Sequence, residues 1–251
     1  MTRQIAIVTG AAAGFGRAIA TRLASDGTDI VIFDIDAPGA HTTAEEVRAQ
    51  GVTAEVVIGS VADPDDVRRA FAFVDDRFGG VDILINNAGV TGNRPTVDIT
   101  DEEWRRTMSI DLDGVFYCSR EAGRAMIGRR PGVIVNIGSI YSLVAAPERA
   151  SYCASKAGVA MLTRSLAVEW APHGIRVNCV APGYADTAMM RELAAVGKIA
   201  LEPLLRRTPQ GRLTQMEDVA ETVAFLCDPR SVHITGQVIA VDGGWTANGY
   251  I

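Results

Sequence analysis

Tyr152 and Lys156 stand four residues apart in Tyr152-Cys153-Ala154-Ser155-Lys156, near the start of an amphipathic stretch that runs to about Ala171. At that spacing the two side chains share one helical face. An ammonium about 5 Å from a phenol, at an effective dielectric near 20, favours the phenolate by roughly 3 kcal/mol, which suits the phenol to general acid/base work. Lysine usage points the same way: the chain has 22 Arg but only two Lys, at 156 and 198. A compact ammonium reaches two partners at once where a planar guanidinium does not. A bare Tyr-x-x-x-Lys recurs by accident in exposed helices, so the pair needs company. Ile134-Val135-Asn136-Ile137-Gly138-Ser139 supplies it, a buried-strand pattern ending in a hydroxyl thirteen residues before Tyr152. Ligands of α/β sheets collect at strand carboxyl ends, so Ser139 is expected to hydrogen-bond the oxygen that Tyr152 protonates or deprotonates. The alternative is a serine that only closes a turn.

A second constellation lies at the start of the chain. Thr9-Gly10-Ala11-Ala12-Ala13-Gly14-Phe15-Gly16 follows an apolar β-branched run and precedes a helical pattern from Arg17. Glycines at 10, 14 and 16 let the backbone approach a ligand, and the first amides of the new helix point at an anion. A pyrophosphate suits that turn, although the spacing is G-x-x-x-G-x-G rather than the G-x-G-x-x-G fingerprint. Asp34 ends the next strand eighteen residues after Gly16, where a carboxylate accepts hydrogen bonds from both adenosine ribose hydroxyls and repels a 2′-phosphate. No basic residue stands at Ala13, Ile35 or Asp36. NAD is therefore expected over NADP, with Arg17 the one nearby cation that speaks against it. Asn86-Asn87-Ala88-Gly89 ends a further strand. For Asn86, Ala88 and Gly89, cofactor contact and central scaffolding are equally open.

The elements that would position these groups are legible as seven short apolar runs: Ile5 to Val8, Ile30 to Phe33, Val56 to Ile58, Ile83 to Ile85, Val133 to Ile137, Arg176 to Val180 and Gln237 to Val241. Continuous apolar character marks strands buried on both faces, and helical stretches separate most of them, which reads as an α/β fold. With no linker, charge block or repeat, the 251 residues are expected to form one domain. A substrate lid is expected at about 184 to 215, where Gly197, Pro203, Pro209 and Gly211 interrupt helical fragments. The short aromatic tail from Gly244 to Ile251 is expected to pack against a neighbouring subunit. A net charge of −6 offers no basic stripe to a nucleic acid. The absence of a leader or a long apolar run argues for a cytoplasmic chain without a membrane span. Cys118, Cys153, Cys179 and Cys227 have no metal or redox spacing, and His41, His173 and His233 lie outside every motif. No metal is expected.

Taken together these motifs resemble the short-chain dehydrogenases/reductases over essentially the whole chain. The likeness is carried by Thr9 to Gly16, Asn86 to Gly89, Ser139, Tyr152-x-x-x-Lys156, Arg176-Val177-Asn178 with Pro182-Gly183, and Asp242-Gly243-Gly244. The resemblance implies a single-domain, Rossmann-like, doubly wound fold with a seven-stranded parallel sheet flanked by helices. It also implies a homotetramer, and hydride transfer between a nicotinamide and a secondary alcohol or ketone. Tyr152 would then be the acid/base, Lys156 would bind the nicotinamide ribose, Ser139 would orient substrate, and Pro182, Gly183 and Thr187 would hold the nicotinamide end. Phe15, Asn87, Ala88 and Gly89 fall in the motifs that line the cofactor.

Two positions depart from the family pattern. Asp111 stands where Asn is common and is carried as a member of the proton relay. Ser60, before Val61, stands where Asp is common and would reach the adenine edge more weakly, while Asp63 reads as a helix cap. Tyr141, Glu148 and Arg149 are the candidate substrate contacts, with Asn93, Arg94, Tyr184, Met189, Met190 and Glu192 nearby in the loops. Their polarity suggests a sugar, polyol or other small polyhydroxy substrate. A 3-oxoacyl thioester or apolar ketone is the alternative, and an idle NAD-binding regulatory subunit is the alternative from another class.

Overall fold

Strand residues alternate between two cores, and that alternation explains why the runs are apolar on both faces over most of their length. Ala6 and Val8, Ile30 and Ile32, Ile83 and Ile85, and Val133 and Val135 pack into one cluster, whereas Ile7, Val31 and Phe33, Leu84 and Ile134 pack into another. The computed structural model describes residues 3–187, 190, 196–197 and 200–249. Seven strands, β1 (Ile5–Thr9), β2 (Asp29–Asp34), β3 (Ala54–Ile58), β4 (Ile83–Asn86), β5 (Gly132–Ile137), β6 (Ile175–Pro182) and β7 (Val238–Val241), form one sheet in the order β3-β2-β1-β4-β5-β6-β7. Every pairing is parallel. Each strand overlaps one of the runs anticipated from the sequence.

The helices among the described residues are α1 (Gly14–Ser25), α2 (Ala37–Arg48), α3 (Pro64–Phe78), α4 (Asp101–Met108), α5 (Gly114–Met126), α6 (Ala150–Trp170), α7 (Leu201–Arg207) and α8 (Met216–Cys227). Ile19 and Leu23 of α1, Val47 of α2 and Val223 of α8 cover the first face of the sheet. Val67 and Phe71 of α3, Ala122 and Met126 of α5 and Leu166 and Trp170 of α6 cover the second. Between β1 and β4 the order of strand addition reverses, which opens a crevice at their carboxyl ends.

Helix starts differ in a way that bears on that crevice. Asp63 caps α3 by accepting from Asp65 N at 2.8 Å, ahead of Pro64, as the sequence predicts, and Thr100 with Glu103 forms a capping box on α4. The start of α1, at the glycine turn, has neither a side-chain cap nor an acidic residue in its first turn. In the segment after β6, Ala185 bridges to Thr214 and α7 follows, while Met189 and Glu192 lie outside the described residues. Trp245 is buried within its own chain, against Tyr141 and Tyr184, rather than free to meet a neighbour, and Tyr250 and Ile251 lie outside the described residues. Among the described residues no helix is long and apolar enough to cross a membrane, no group of three or more His, Cys, Asp or Glu is gathered for a metal ion, and all four cysteines are free.

Candidate active site

The glycine turn and the strand ends around it form a cavity of about 450 Å³, lined by Gly10 and Gly14, Asp34, Ser60 and Val61, and Asn87, Ala88 and Gly89. Gly10 has φ +64°, and a Cβ there would come within 2.7 Å of Ala88 Cα; one on Gly16 would fall 2.2 Å from Gly10 O. The bare backbone is thus required for the close approach of β1, α1 and the Asn87 segment. Asn87 fastens them by donating Nδ2 to Thr9 O and Gly10 O at 3.0 and 2.9 Å. Asp34 lies at the cavity wall, accepting from Ala12 N at 2.8 Å and Asp36 N at 2.9 Å, which fixes its carboxylate. The uncapped amides of α1, an aimed carboxylate and a backbone cradle that a Cβ would fill fit a dinucleotide.

Arg17, the cation that spoke against NAD, is held by both carboxylate oxygens of Glu46. That hydrogen bonding raises the Arg17 pKa and lowers that of Glu46. At the third-strand position Ser60 Oγ accepts from Ala62 N at 3.2 Å, and the Ser60 amide donates to Asp66 at 2.8 Å. This bond, ahead of Arg69, holds the Asp66 carboxyl below its ordinary value. Asp66 therefore braces the loop that lines the cavity, a role the sequence reading did not assign.

A second cavity, of about 220 Å³, shares Asn87, Gly89 and Val90 with the first and is lined by Ser139, Tyr152, Lys156, Phe15, Pro182 and Gly183. Gly16 and Thr187 line neither; Thr187 Oγ1 instead accepts from Met190 N at 3.0 Å. Ser139 Oγ accepts from Tyr141 N at 3.2 Å, so its own proton is free to be given. Lys156 sits one turn beyond Tyr152, its Nζ 5.6 Å from the phenol ring centre, and donates to Ile137 O, the strand-end carbonyl of β5, at 3.1 Å. Asp111, wholly buried, accepts from Val90 N at 2.7 Å and faces Lys156 Nζ at 3.7 Å through its other oxygen. A π-helical turn, Ser109–Asp113, between α4 and α5 carries it. Burial opposes the Lys156 charge, but the Tyr152 phenol and the Asp111 carboxylate outweigh it and hold Lys156 above its ordinary value. Burial holds Asp111 above its ordinary value despite Lys156.

That raised carboxyl makes a prediction about stability. Because the folded state takes up the Asp111 proton at a higher pH than the unfolded state, the site stabilises the wild type as pH falls towards the ordinary carboxylate range near 4. Asp111→Asn removes this gain and keeps an oxygen for Val90 N. In thermal melts the variant's Tm relative to wild type is expected to be highest near pH 7 and to decline steadily towards pH 4. A difference that is flat or rises on acidification counts against the assignment.

Tyr141, expected at the substrate, is buried, and its hydroxyl is shared with the Tyr184 hydroxyl at 2.6 Å. Its ring meets those of Tyr152, Tyr184 and Trp245 at 6.1, 6.4 and 6.5 Å in edge-on geometry. Arg149 lies over Tyr141, with its guanidinium 5.3 Å from the ring centre, and donates to Thr91 Oγ1. Glu148, at φ +62°, lines a separate cavity of about 180 Å³ with Arg94 and Asn93. The question left open for the Asn86 segment is also resolved. Asn86 is scaffolding, its amide donating to Ser119 Oγ and Asn136 Oδ1, whereas Ala88 and Gly89 face the cavities. Thr9 Oγ1 accepts from both Asn87 N and Ala88 N, at 2.9 and 3.0 Å, a tie whose only trace in the sequence is the threonine before the first glycine.

A family model described as enoyl-(acyl carrier protein) reductase matches residues 10–246. The chain is 43% identical to cis-4-hydroxycyclohexanecarboxylate dehydrogenase of Sinomonas cyclohexanicum, over 97% of each chain. The chain belongs to the short-chain dehydrogenase/reductase family. This dehydrogenase/reductase is also 39% identical to the 3-oxoacyl-[acyl-carrier-protein] reductase FabG of Staphylococcus aureus, over 97% of its own length and 98% of the relative's. Among solved structures it matches a candidate 2-deoxy-D-gluconate 3-dehydrogenase of Agrobacterium tumefaciens, with bound NADP, at a TM-score of 0.88 and 35% identity, covering 98% and 97% of the two chains. The protein is an NAD(P)-dependent oxidoreductase acting on CH–OH groups or the matching ketones.

Proposed function

We propose that this oxidoreductase transfers a hydride between NAD and a secondary alcohol or ketone, with a sugar, polyol or other small polyhydroxy compound as substrate. The observation that carries the reading is the meeting of two cavities: the one lined by Ser139, Tyr152 and Lys156 shares a wall with the one lined by Asp34 and the glycine turn. Gly10, Gly14 and Gly16 with the α1 amides would hold the pyrophosphate, and Asp34 the adenosine ribose. Ser60 and Val61 would meet the adenine, Phe15, Asn87, Ala88 and Gly89 the middle, and Pro182, Gly183 and Thr187 the nicotinamide end. The bound nicotinamide supplies the acceptor or donor of hydride.

In the oxidation direction Ser139 donates its free proton to the carbinol oxygen and holds it against Tyr152. Tyr152 takes the carbinol proton as general base. Lys156 stands charged beneath the phenol and offsets the negative charge gathering there, besides reaching the ribose. Asp111 keeps that ammonium charged and passes protons on. Tyr141, Glu148 and Arg149 complete the substrate side.

Preference for NAD is supported by Asp34 at the cavity wall and by Glu46, which occupies Arg17. Asp34→Ala is expected to lower kcat/KM with NAD by about tenfold or more, the worth of one charged hydrogen bond, and to raise relative use of NADP. An unchanged preference removes Asp34 from the site. The substrate is tested by following absorbance at 340 nm over a panel of polyols, sugars, hydroxy acids and 3-oxoacyl thioesters with both cofactors. Fastest turnover of a polyhydroxy compound with NAD is expected. Fastest turnover of a thioester with NADP would instead favour the second reading, which the Staphylococcus relative supports. The set of Ser139, Tyr152 and Lys156 in one cavity argues against an idle subunit.

We read residues 1–251 as one catalytic domain with 184–215 covering the substrate side. Contact of Tyr184 with Tyr141 supports that cover. Exposed Phe116, Met161 and Val168 support contacts between copies, as in a homotetramer, and the free cysteines suit the cytoplasm.

A further inference from the structure

Arg149 is the residue that leads into α6, three before Tyr152. The residue is partly buried, and its guanidinium contacts the Thr91 hydroxyl at 3.2 Å and the Tyr141 ring at 5.3 Å. Among the described residues no carboxylate lies within ion-pair distance of it. Neighbouring guanidiniums are placed differently: Arg94 pairs with Glu103 at 3.0 Å and Arg105 with Asp101 at 2.9 Å. Arg149 is thus, among the described residues, a cation without a charged partner, tied through Thr91 to the rim of the reaction cavity. Glu148 and Glu103 line the adjoining cavity, but Glu103 is taken by Arg94 and Glu148 makes no pair with Arg149.

The surroundings define what that partner is attached to. Thr91, which receives the Arg149 hydrogen bond, itself lines the cavity of Ser139, Tyr152 and Lys156. Tyr141, beneath the guanidinium, meets the Tyr152 ring edge-on at 6.1 Å. The guanidinium is therefore linked to the acid/base by one guanidinium-to-ring contact and one ring-to-ring contact. The Tyr141 and Tyr184 hydroxyls satisfy each other, and burial together with that bond pushes the Tyr141 phenol up, so it stays neutral. Behind Tyr152, then, lie uncharged rings whose hydroxyls are already paired, with the Arg149 guanidinium beside them.

We propose that the substrate bears a carboxylate, bound by Arg149 with the Thr91 hydroxyl, while its carbinol faces Ser139 and Tyr152. The class is a polyhydroxy acid, or the matching oxo acid, built on a small ring or short chain. A planar guanidinium takes a carboxylate through two parallel hydrogen bonds, and rings accept the carbon skeleton. This inference rests on the reading of Tyr152 as the group that deprotonates a carbinol. The carboxylate is a handle, neither formed nor consumed: the carbinol carbon gives its hydride to NAD, its oxygen gives its proton to Tyr152, and C–O becomes C=O.

The test begins with binding, so that it does not depend on turnover. Cyclohexanecarboxylate and the uncharged cyclohexanecarboxamide are titrated calorimetrically into the full chain saturated with NAD, or with NADP if that binds better. The acid is expected to bind at least tenfold tighter than the amide. Arg149→Gln brings the ratio close to one, Arg149→Lys restores part of it, and Arg105→Gln, which removes the same charge from exposed α4, leaves it unchanged. Equal binding of acid and amide to wild type, no binding of the acid, or an Arg149→Gln variant that keeps the wild-type ratio overturns the proposal. A second arm compares kcat/KM for 4-hydroxycyclohexanecarboxylate and its carboxamide, where the same ratio is expected, expressed in KM. If the acid binds through Arg149 and no carbinol is oxidised, the reaction reading fails while the carboxylate site stands.

Discussion

Tyr152→Phe is expected to lower kcat by about 10²–10⁴-fold, the range that a positioned proton-transfer group contributes, on whichever alcohol the wild type oxidises fastest. The variant keeps the ring, so its edge-on contact with Tyr141 and the packing of α6 against the strand ends are retained. NAD affinity, followed by quenching of protein fluorescence, is therefore expected to change by less than about threefold while turnover at 340 nm nearly vanishes. That split separates a chemical role from a structural one, because a misfolded pocket loses both together. Wild-type turnover in the variant would remove Tyr152 from the mechanism.

Lys156→Met is expected to show the next largest effect, with a different signature. A unit charge 5.6 Å from the centre of the reacting phenol ring is worth about 3 kcal/mol at an effective dielectric near 20. Activity at neutral pH is therefore expected to fall by roughly 10²-fold in the variant, through loss of the charge that offsets the negative charge gathering on the phenol oxygen. NAD binding weakens as well, through loss of the ribose contact. Lys156→Arg is not expected to rescue, since a planar guanidinium cannot occupy the buried position that donates to Ile137 O and also faces Asp111. A wild-type kcat at saturating NAD would mean that Lys156 positions the cofactor without influencing Tyr152.

The sheet was legible because β-branched runs buried on both faces leave an unbroken apolar trace, and the observed strands differ from the expected ones by one or two residues at their ends. Tyr152, Lys156 and Ser139 were legible for another reason: their distances along one helix and one strand end are short enough to be read as spacing. What escaped depends on partners far apart in the chain. Nothing local tells that Glu46 would occupy Arg17, twenty-nine residues away, or that Asp66 would brace Ser60. Asn86 and Asn87 are adjacent and alike in chemistry, yet the pleat turns one into a buried network with Ser119 and Asn136 and the other onto the glycine turn. The π-helical turn that carries Asp111 is hidden too, because the five residues Ser109–Asp113 are too few to show a period of their own. Tyr141 was chosen for its polarity, but Tyr184 takes up its hydroxyl and its ring packs against that of Tyr152.

The contact of Tyr141, Tyr184 and Trp245 joins three segments that leave the sheet after β5, β6 and β7. Such a union makes selectivity a collective property. Replacing one ring withdraws support from the other two, so mutational drift towards a new metabolite has to proceed through compensating changes in all three loops.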